Sequence, residues 1–285
     1  MDEVDERKVS INAVCEILGT NRKTYYNQLN KPDNAYKLRR DRLSSEIKQI
    51  HKDSKEIYGA PKITRILRRR GEVVSERLVG KIMSEHGIRA HYTKPWTRTT
   101  RNSNFSKELK NIIKRDFNPV SPNRIWCSDI TYVWTKEDGF AYLTTVMDLF
   151  SRKIIGWKIS RTMEAEDILK CLRIARNIRY WDKALVIHSD RGSQYISETY
   201  KKLTKGMMTS YSDKGNPWDN APIEAFHALI KREWFSKYQP VDYEDAYRLT
   251  FEYIEGFYNT TRPHSFCDYL SPNEFEQQFI NTSLA

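Results

Sequence analysis

The chain has 285 residues and a net charge of +11. This length is enough for one large domain with a buried core and one or two small ones, so stability does not require disulfides. Its four cysteines lie far apart without a C-x-x-C pair, which indicates a reduced, intracellular protein without structural zinc. No apolar stretch approaches the roughly 20 residues that span a bilayer. Because the acidic N-terminus is also unlike a signal peptide, we expect a cytoplasmic protein.

The positive charge is concentrated in the first part of the chain. Residues 1–115 carry 27 Lys and Arg against 14 Asp and Glu, whereas residues 116–285 carry 21 against 23. Lys and Arg that neutralise phosphates supply most of the non-specific affinity for nucleic acids. The asymmetry therefore predicts an N-terminal part that binds nucleic acid. A basic surface that only aids solubility is the alternative.

Two helical units are predicted in this basic part. Residues 11–29 have helical spacing on both sides of Gly19, which is typical of a helix-turn-helix. In the second unit, Ser75 is placed to cap the last helix. Its predicted helices cover about 43–52, 61–70 and 76–86. The side chains that we expect to contact DNA from these units are Arg22, Lys23, Arg77 and Lys81.

Two further basic segments belong to this part. The run of arginines at 68–70 ends a predicted helix, where DNA contact and a solvated helix end are equally consistent with its position. Residues 91–122 lose all periodicity and are polar and basic, which indicates a linker that tracks DNA. Within it, Arg98 and Arg101 are the candidate phosphate contacts.

The pattern changes to strands after residue 123. Three adjacent strands, at 124–134, 140–148 and 153–160, predict an antiparallel meander. Shorter elements follow in alternation, with helices at 165–179 and 198–203, strands at 184–188 and 207–211, and a helix from about 221. Hairpins followed by β/α alternation predict a mixed α/β sheet flanked by helices.

Three carboxylates occupy distinctive places in this part of the chain. Asp129 lies inside the first strand, and Asp190 directly follows the apolar run 185–187. Glu224 lies one turn into a helix that Asp219 or Asn220 can cap. A solvent-facing edge strand, a turn and a surface helix are the respective plain alternatives for the three acids.

Together these acids are suited to hold metal. One strand acid, one strand-end acid and one helix acid can bind two Mg²⁺ ions through oxygen, and Mn²⁺ can substitute. Such a pair activates a water or 3′-hydroxyl for in-line attack on phosphate, so no histidine base is required. We therefore interpret His188 as a packed or hydrogen-bonding residue.

The sequence resembles the integrase-core superfamily, and most closely the catalytic OrfB-type transposases of a large bacterial insertion-sequence family. The matching strings are those at 126–132, 188–195 and 215–226, with further similarity at 58–63, 258–264 and 271–272. The resemblance implies a ribonuclease-H-like integrase core of five strands flanked by helices, preceded by all-α helix-turn-helix modules. It also implies the catalytic and metal-binding triad Asp129, Asp190 and Glu224. Lys231 occupies the family's basic position after the glutamate and is expected to bind DNA.

The resemblance also implies partners and a domain order. The partners are double-stranded DNA at element ends and target, a separate DNA-binding product of the same element, and further copies of the chain on DNA. The protein would be bacterial and associated with the nucleoid, without a membrane partner. The expected domains are a helix-turn-helix module at 1–35, a second such DNA-binding domain at 36–90, a basic linker at 91–120, the catalytic core at 121–240 and its C-terminal helical extension at 241–285.

The resulting hypothesis is Mg²⁺-dependent DNA cleavage and strand transfer of an insertion sequence. A ribonuclease-H-like nuclease that cuts without joining is one alternative. A DNA-binding regulator with an inactive core is the other, although the three intact acids argue against it.

Overall fold

The computed structural model describes residues 11–29, 35–91, 109–181 and 184–283. Arg98 and Arg101, and most of the linker that contains them, lie outside these residues. No helix in the part of the chain that is described has the length and apolar character needed to cross a membrane. The four cysteines are buried with free thiols.

Five helices precede the sheet in the residues that the structure describes. They are α1 (Ile11–Ile17), α2 (Arg22–Leu29), α3 (Ala35–Asp53), α4 (Ala60–Arg69) and α5 (Glu76–Glu85). The first two flank Gly19, whose φ of +59° is readily adopted only without a side chain. The predicted pair of short helices and the predicted helices of the second unit are therefore confirmed.

Helix α3 is longer than the sequence pattern indicates. It begins at Ala35, about eight residues before the predicted start, because its polar first turns are rich in good helix formers. Arg40 also pairs with Glu85 of α5, and Arg42 Nη2 lies 2.7 Å from Glu72 Oε1. The amphipathic pattern misses this extension because the first two turns contact the unit through charge and not through apolar side chains.

Apolar side chains from three helices form the interior of the second helical unit. Leu43 and Ile47 of α3 are buried with Ile63 of α4 and Val79 of α5. The predicted cap is also present, because Leu78 N donates a hydrogen bond of 3.2 Å to the Ser75 side chain.

Two of the three arginines at 68–70 have partners inside the protein. Arg68 Nε donates to the Val74 carbonyl at 2.9 Å, and Arg69 Nη2 lies 3.0 Å from Glu274 Oε1. At these two positions, intramolecular contacts account for the basic side chains.

A five-stranded mixed sheet forms the centre of the rest of the chain. Its strands are β1 (Ile125–Thr135), β2 (Gly139–Asp148), β3 (Lys153–Ser160), β4 (Val186–Ser189) and β5 (Met208–Tyr211). The spatial order is β3-β2-β1-β4-β5, with the first three strands antiparallel and β4 and β5 parallel to β1. This confirms the predicted meander and the mixed ribonuclease-H-like sheet.

Helices cover both faces of the sheet. They are α6 (Ala165–Ile178), α7 (Glu198–Leu203), α8 (Ala221–Ile230), the short α9 (Ser236–Tyr238), α10 (Tyr243–Tyr253) and α11 (Pro272–Ser283). Side chains alternate along β1, so Trp126 joins a core with α6 and α7, while Cys127 joins a core with α8 and α10. The second of these cores continues into the helical unit α3 to α5. That unit is therefore packed against the α8 and α10 side of the sheet.

Gly156 on β3 lies in close contact with α6. A Cβ at this position would lie 2.7 Å from the Cys171 carbonyl oxygen and 3.3 Å from the Ala175 side chain. We expect Gly156→Ala to lower the free energy of unfolding by about 1–3 kcal/mol, because helix backbone must move to admit the methyl group. Urea unfolding measures the change. Gly256→Ala, where a Cβ has no neighbour within 4 Å, is the control, and equal effects of the two would contradict this close contact.

Candidate active site

The strand register places Asp129 and Asp190 side by side. Ser128 of β1 pairs with Ser189 of β4, and each aspartate is the next residue along its parallel strand. Neighbouring strands lie about 5 Å apart. Two carboxylates thus meet where β4 ends, which is where sheets of this kind present ligand-binding groups.

The electrostatics of this pair are unfavourable without a cation. Loss of hydration around the carboxyl group, followed by the charge of Asp129, raises the pKa of Asp190 to about 6. A hydrogen bond of 2.9 Å from the Gly192 N–H to Asp190 Oδ1 opposes the shift only in part. The pair is therefore arranged so that a bound cation would relieve a real cost.

Helix α8 brings a histidine against Asp129. His227 Nδ1 lies 3.4 Å from Asp129 Oδ2, and its Nε2 lies 2.8 Å from Thr145 Oγ1. Thr145 is itself the residue opposite Asp129 in the β1–β2 register. His227 and Thr145 are buried, and their contacts with each other and with half-buried Asp129 restrict the direction of its carboxylate.

Glu224 lies one turn before His227 on the same helix. Residues three apart share a helix face, so Glu224 is on the side of α8 that approaches Asp129. Its side chain is half-buried in the first turn. Glu224 therefore shares the face of α8 that carries His227, on a different element of structure from the two aspartates.

The carboxylate oxygens of the three acids are suitable ligands for a hard cation, but they do not converge on a single metal position. In the described ranges, no three His, Cys, Asp or Glu side chains are close enough to hold a metal ion by themselves. Asp129 and Asp190, with Glu224 on α8, offer carboxylate oxygens alone, which is the chemistry that Mg²⁺ prefers. The donor set fits Mg²⁺, and water and phosphate oxygens would have to complete its coordination.

Lys231 follows α8 and faces the same site. Its Nζ lies 5.1 Å from the centre of the Tyr132 ring. Burial lowers its pKa, and the charge of Asp129 acts in the opposite direction. A cationic side chain thus lies close enough to Asp129 for the two charges to interact.

The other basic residues identified in the sequence lie away from the carboxylates. Arg22 and Lys23 are exposed on α2, and Arg77 and Lys81 are exposed on α5. Within the described part of the chain none of the four forms an ion pair.

The predicted cap of α8 is wrong. Asp219 is buried, and its carboxylate accepts hydrogen bonds from Arg115 Nε at 2.7 Å and Asn111 Nδ2 at 3.0 Å. Its oxygens are occupied by the segment before β1, and Asn220 makes no cap hydrogen bond either. Asp219 therefore anchors the loop before α8 and does not cap that helix.

His188 is packed, as the sequence suggests. It is fully buried, and its ring nitrogens lie 2.9 Å from Ser210 Oγ and 3.2 Å from Ser212 Oγ. Burial lowers its pKa to about 4, so the ring is neutral near pH 7.

Two residues of the site are not identified by the sequence reasoning. His227 has one usable signal, since it lies three residues after Glu224 and must share its face. Tyr195 has none, because its contact with β1 is distant in sequence. Its hydroxyl lies 3.0 Å from the Oγ of Ser128, the residue before Asp129.

Known families and proteins match nearly the whole chain. Residues 119–217 and 205–272 match families described as Integrase core domain, and residues 38–96 match the HTH-like domain family. The chain is 36% identical over 242 residues to the transposase for insertion sequence element IS904 of Lactococcus lactis, which covers 84% of this chain and 95% of that protein.

Two further similarities extend this comparison. The transposase InsF for insertion sequence IS3A of Escherichia coli is 32% identical over 280 residues, 97% of each chain. Among solved structures, the simian T-cell lymphotropic virus intasome in complex with PP2A regulatory subunit B56 gamma has 14% identity and a TM-score of 0.46, over 80% of this chain and 73% of that one. On the sequence relatives, which are covered almost end to end, the chain belongs to the integrase-core transposases of bacterial insertion sequences, the OrfB-type polynucleotidyl transferases.

Proposed function

We propose that the chain cuts and joins DNA strands at the ends of an insertion sequence in a Mg²⁺-dependent reaction, with Asp129, Asp190 and Glu224 as the catalytic, metal-holding triad. The observation that carries the proposal is the pair of like-charged carboxylates on adjacent parallel strands, with α8 against Asp129. Such a pair is costly unless a cation neutralises it. Two Mg²⁺ ions, or Mn²⁺, supply activation of the attacking hydroxyl and stabilisation of the leaving oxygen.

The side chains around the triad orient it and hold the DNA. His227, fixed by Thr145, holds the Asp129 carboxylate in one direction. The Gly192 N–H does the same for Asp190. Lys231 presents a positive charge beside Asp129, so it attracts the phosphate that is to be attacked. Orientation of this kind matters because phosphoryl transfer depends on in-line alignment of the attacking and leaving oxygens.

DNA recognition is assigned to the basic N-terminal part. The domains retain the boundaries given by the sequence, with helix-turn-helix modules at 1–35 and 36–90, the linker at 91–120, the core at 121–240 and its extension at 241–285. The cations on α2 and α5 are exposed and form no ion pair with any residue that the structure describes, which supports this assignment. The proposed contacts are Arg22, Lys23, Arg77, Lys81, Arg98 and Arg101, with Lys231 at the active site.

The reaction also requires partners. Two element ends and a target must come together, so we assign further copies of the chain to the DNA-bound assembly. A separate DNA-binding product of the same element would supply most terminal-sequence recognition. The assembly would act at the nucleoid, in the cytoplasm.

The test is a joining assay with the purified chain. A fluorescent element end with a free 3′-hydroxyl is incubated with plasmid and Mg²⁺, using wild type, Glu224→Gln and, as the control, Glu244→Gln, which changes an exposed glutamate in the first turn of α10. We expect joined product from wild type and control and none from Glu224→Gln. All three proteins should shift the element end equally in a gel, because DNA binding is unchanged. Cutting without joining would identify a nuclease, a gel shift without either would identify a regulator, and joining by Glu224→Gln would remove that residue from the triad.

The raised pKa of Asp190 predicts that Mg²⁺ binding depends on pH. Below pH about 6 a proton occupies this carboxyl group and competes with the cation. At pH 5, about one unit below the pKa, we expect roughly tenfold weaker Mg²⁺ binding than at pH 7.5. Titration calorimetry measures both affinities. Equal affinities at the two pH values would show that Asp190 is not a ligand.

A further inference from the structure

Two segments outside the triad that resemble the transposase family meet at the buried side chain of Glu233. The string 58–63 lies at the start of α4, and the string 258–264 follows a π-helical turn at Ile254–Tyr258. Glu233 is 4% exposed and contacts residues of both. It is only two residues beyond Lys231, so the junction is directly connected to the active site.

Arg262 is the main partner of Glu233. Its Nε donates to Glu233 Oε2 at 2.7 Å and its Nη2 to Oε1 at 2.6 Å, which makes the pair bidentate. Tyr253 Oη donates to Oε2 at 2.8 Å. Although burial alone would raise it, hydrogen bonding to Arg262 and the charge of that residue lower the pKa of Glu233 to about 2. The carboxylate is therefore ionised throughout the physiological range.

Lys62 brings the helical unit to the same carboxylate. Its Nζ lies 3.7 Å from Glu233 Oε1 and 5.0 Å from the centre of the Tyr58 ring. Burial, followed by the charge of Arg262, lowers the pKa of Lys62 to about 8 despite the attraction of Glu233. The attraction of Glu233 therefore offsets only part of the loss of hydration and of the repulsion by Arg262 at Lys62.

Further contacts hold the helical unit on the same stretch of chain. Lys237 Nζ donates to the Lys55 carbonyl at 2.6 Å and lies 2.7 Å from Glu56 Oε2. His91 Nε2 lies 3.0 Å from Ser236 Oγ. The second helical unit is thus docked on the segment that follows α8.

That segment is a widened helical turn. Residues 231–235 form a π-helical turn in which the Ser236 N–H donates to the Lys231 carbonyl, one residue further back than in an α-helix. Turns of this kind need support from their surroundings and are frequent at functional sites. Lys231 begins the turn, so anchoring Glu233 within it fixes the direction in which Lys231 leaves α8.

We propose that Glu233 is a positioning residue for strand transfer: through Arg262 it fixes the turn that directs Lys231 to Asp129, and through Lys62 it holds the DNA-binding helical unit at a fixed distance from the triad. This inference rests on the proposed function. Element DNA held by the helical unit would then reach the carboxylates in one register. The predicted result of loosening the junction is slow and misplaced joining.

Lys62→Met is the sharpest test, because it removes the contact with the helical unit and leaves the Glu233–Arg262 pair intact. We expect an unfolding temperature equal to or above that of wild type and an unchanged gel shift of element DNA. Joining should fall about 10- to 100-fold, as for a small misplacement of reacting groups, and the joined nucleotide should scatter. Lys62→Arg should restore rate and position. Lys48→Met, an exposed lysine on α3, is the control and should behave as wild type.

The outcomes separate this inference from the proposed function. If wild type fails to join, the proposed function fails and this inference fails with it. If wild type joins and Lys62→Met joins at the same rate and nucleotide, only the positioning role is overturned. A loss of joining that merely follows a lower unfolding temperature or a lost gel shift, or that Lys62→Arg leaves unrestored, also overturns it.

Discussion

Asp190→Asn is expected to abolish strand joining while leaving the protein as stable as wild type or slightly more stable. Metal ions contribute several kcal/mol of transition-state stabilisation in phosphoryl transfer, and about 1.4 kcal/mol corresponds to a tenfold change in rate. Loss of a carboxylate ligand should therefore reduce joining by at least about 10²- to 10³-fold. Asparagine keeps the size of the side chain and can still accept the hydrogen bond from Gly192.

The accompanying change in stability follows from the direction of the pKa shift. The folded-state pKa of Asp190 is raised to about 6 from 3.8, so the charged form opposes folding. This cost is absent below pH about 4, grows between pH 4 and 6, and is complete above pH 6. Although its carboxyl group has lost part of its hydration, Asp190 lies at the surface, where water still screens the interaction, so we expect a gain of at most about 1 kcal/mol from Asp190→Asn near pH 7.

Joining assays and thermal unfolding at pH 4 and pH 7 measure both effects. Asp213→Asn is the matched control, since Asp213 is an exposed aspartate that lies 3.3 Å from Arg191 and outside the carboxylate pair. It should join as wild type does. Joining by Asp190→Asn within tenfold of wild type would remove Asp190 from the triad. The repulsion from Asp129 would be contradicted if the stability of the variant, measured against wild type, were lower at pH 7 than at pH 4.

Local sequence was sufficient to predict the strands that carry the aspartates. Alternation around Asp129 and the apolar run before Asp190 identify both elements, and the parallel pairing of β1 with β4 then makes the two acids neighbours. The position of Glu224 in a first helical turn is equally local. These features depend on periodicity over a few residues, which the sequence displays directly.

Features that depend on distant partners were not predictable in the same way. Asp219 has the composition and position of a helix cap, but Arg115, over a hundred residues earlier, takes its carboxylate. For Arg69 the sequence left DNA contact and a solvated helix end equally open, and Glu274 lies beside it in the structure. Both outcomes depend on long-range ion pairs, and one sequence does not display which distant charges will meet.

The same limit applied to the ion cluster at Glu233, where a second large effect is expected. Arg262→Met should lower the free energy of unfolding by about 3–5 kcal/mol, because it leaves a buried carboxylate without its main partner. Arg262 and Glu233 have side chains only 6% and 5% exposed, so water cannot replace the lost contact. Urea unfolding at pH 7 measures the change.

The double variant distinguishes a lost pair from a lost shape. Adding Glu233→Leu to Arg262→Met removes the stranded charge, so we expect it to recover most of the stability, as replacement of buried ion pairs by apolar residues often does. Arg248→Met is the control, because Arg248 is 57% exposed and pairs with Asp245 and Glu252 on the surface of α10, where a loss below about 1 kcal/mol is expected. A double variant as unstable as Arg262→Met alone would mean that Arg262 acts through packing around Tyr258 and not through Glu233. If the double variant recovers its free energy of unfolding but joins DNA poorly, the charge pair serves to direct Lys231 and does not serve stability.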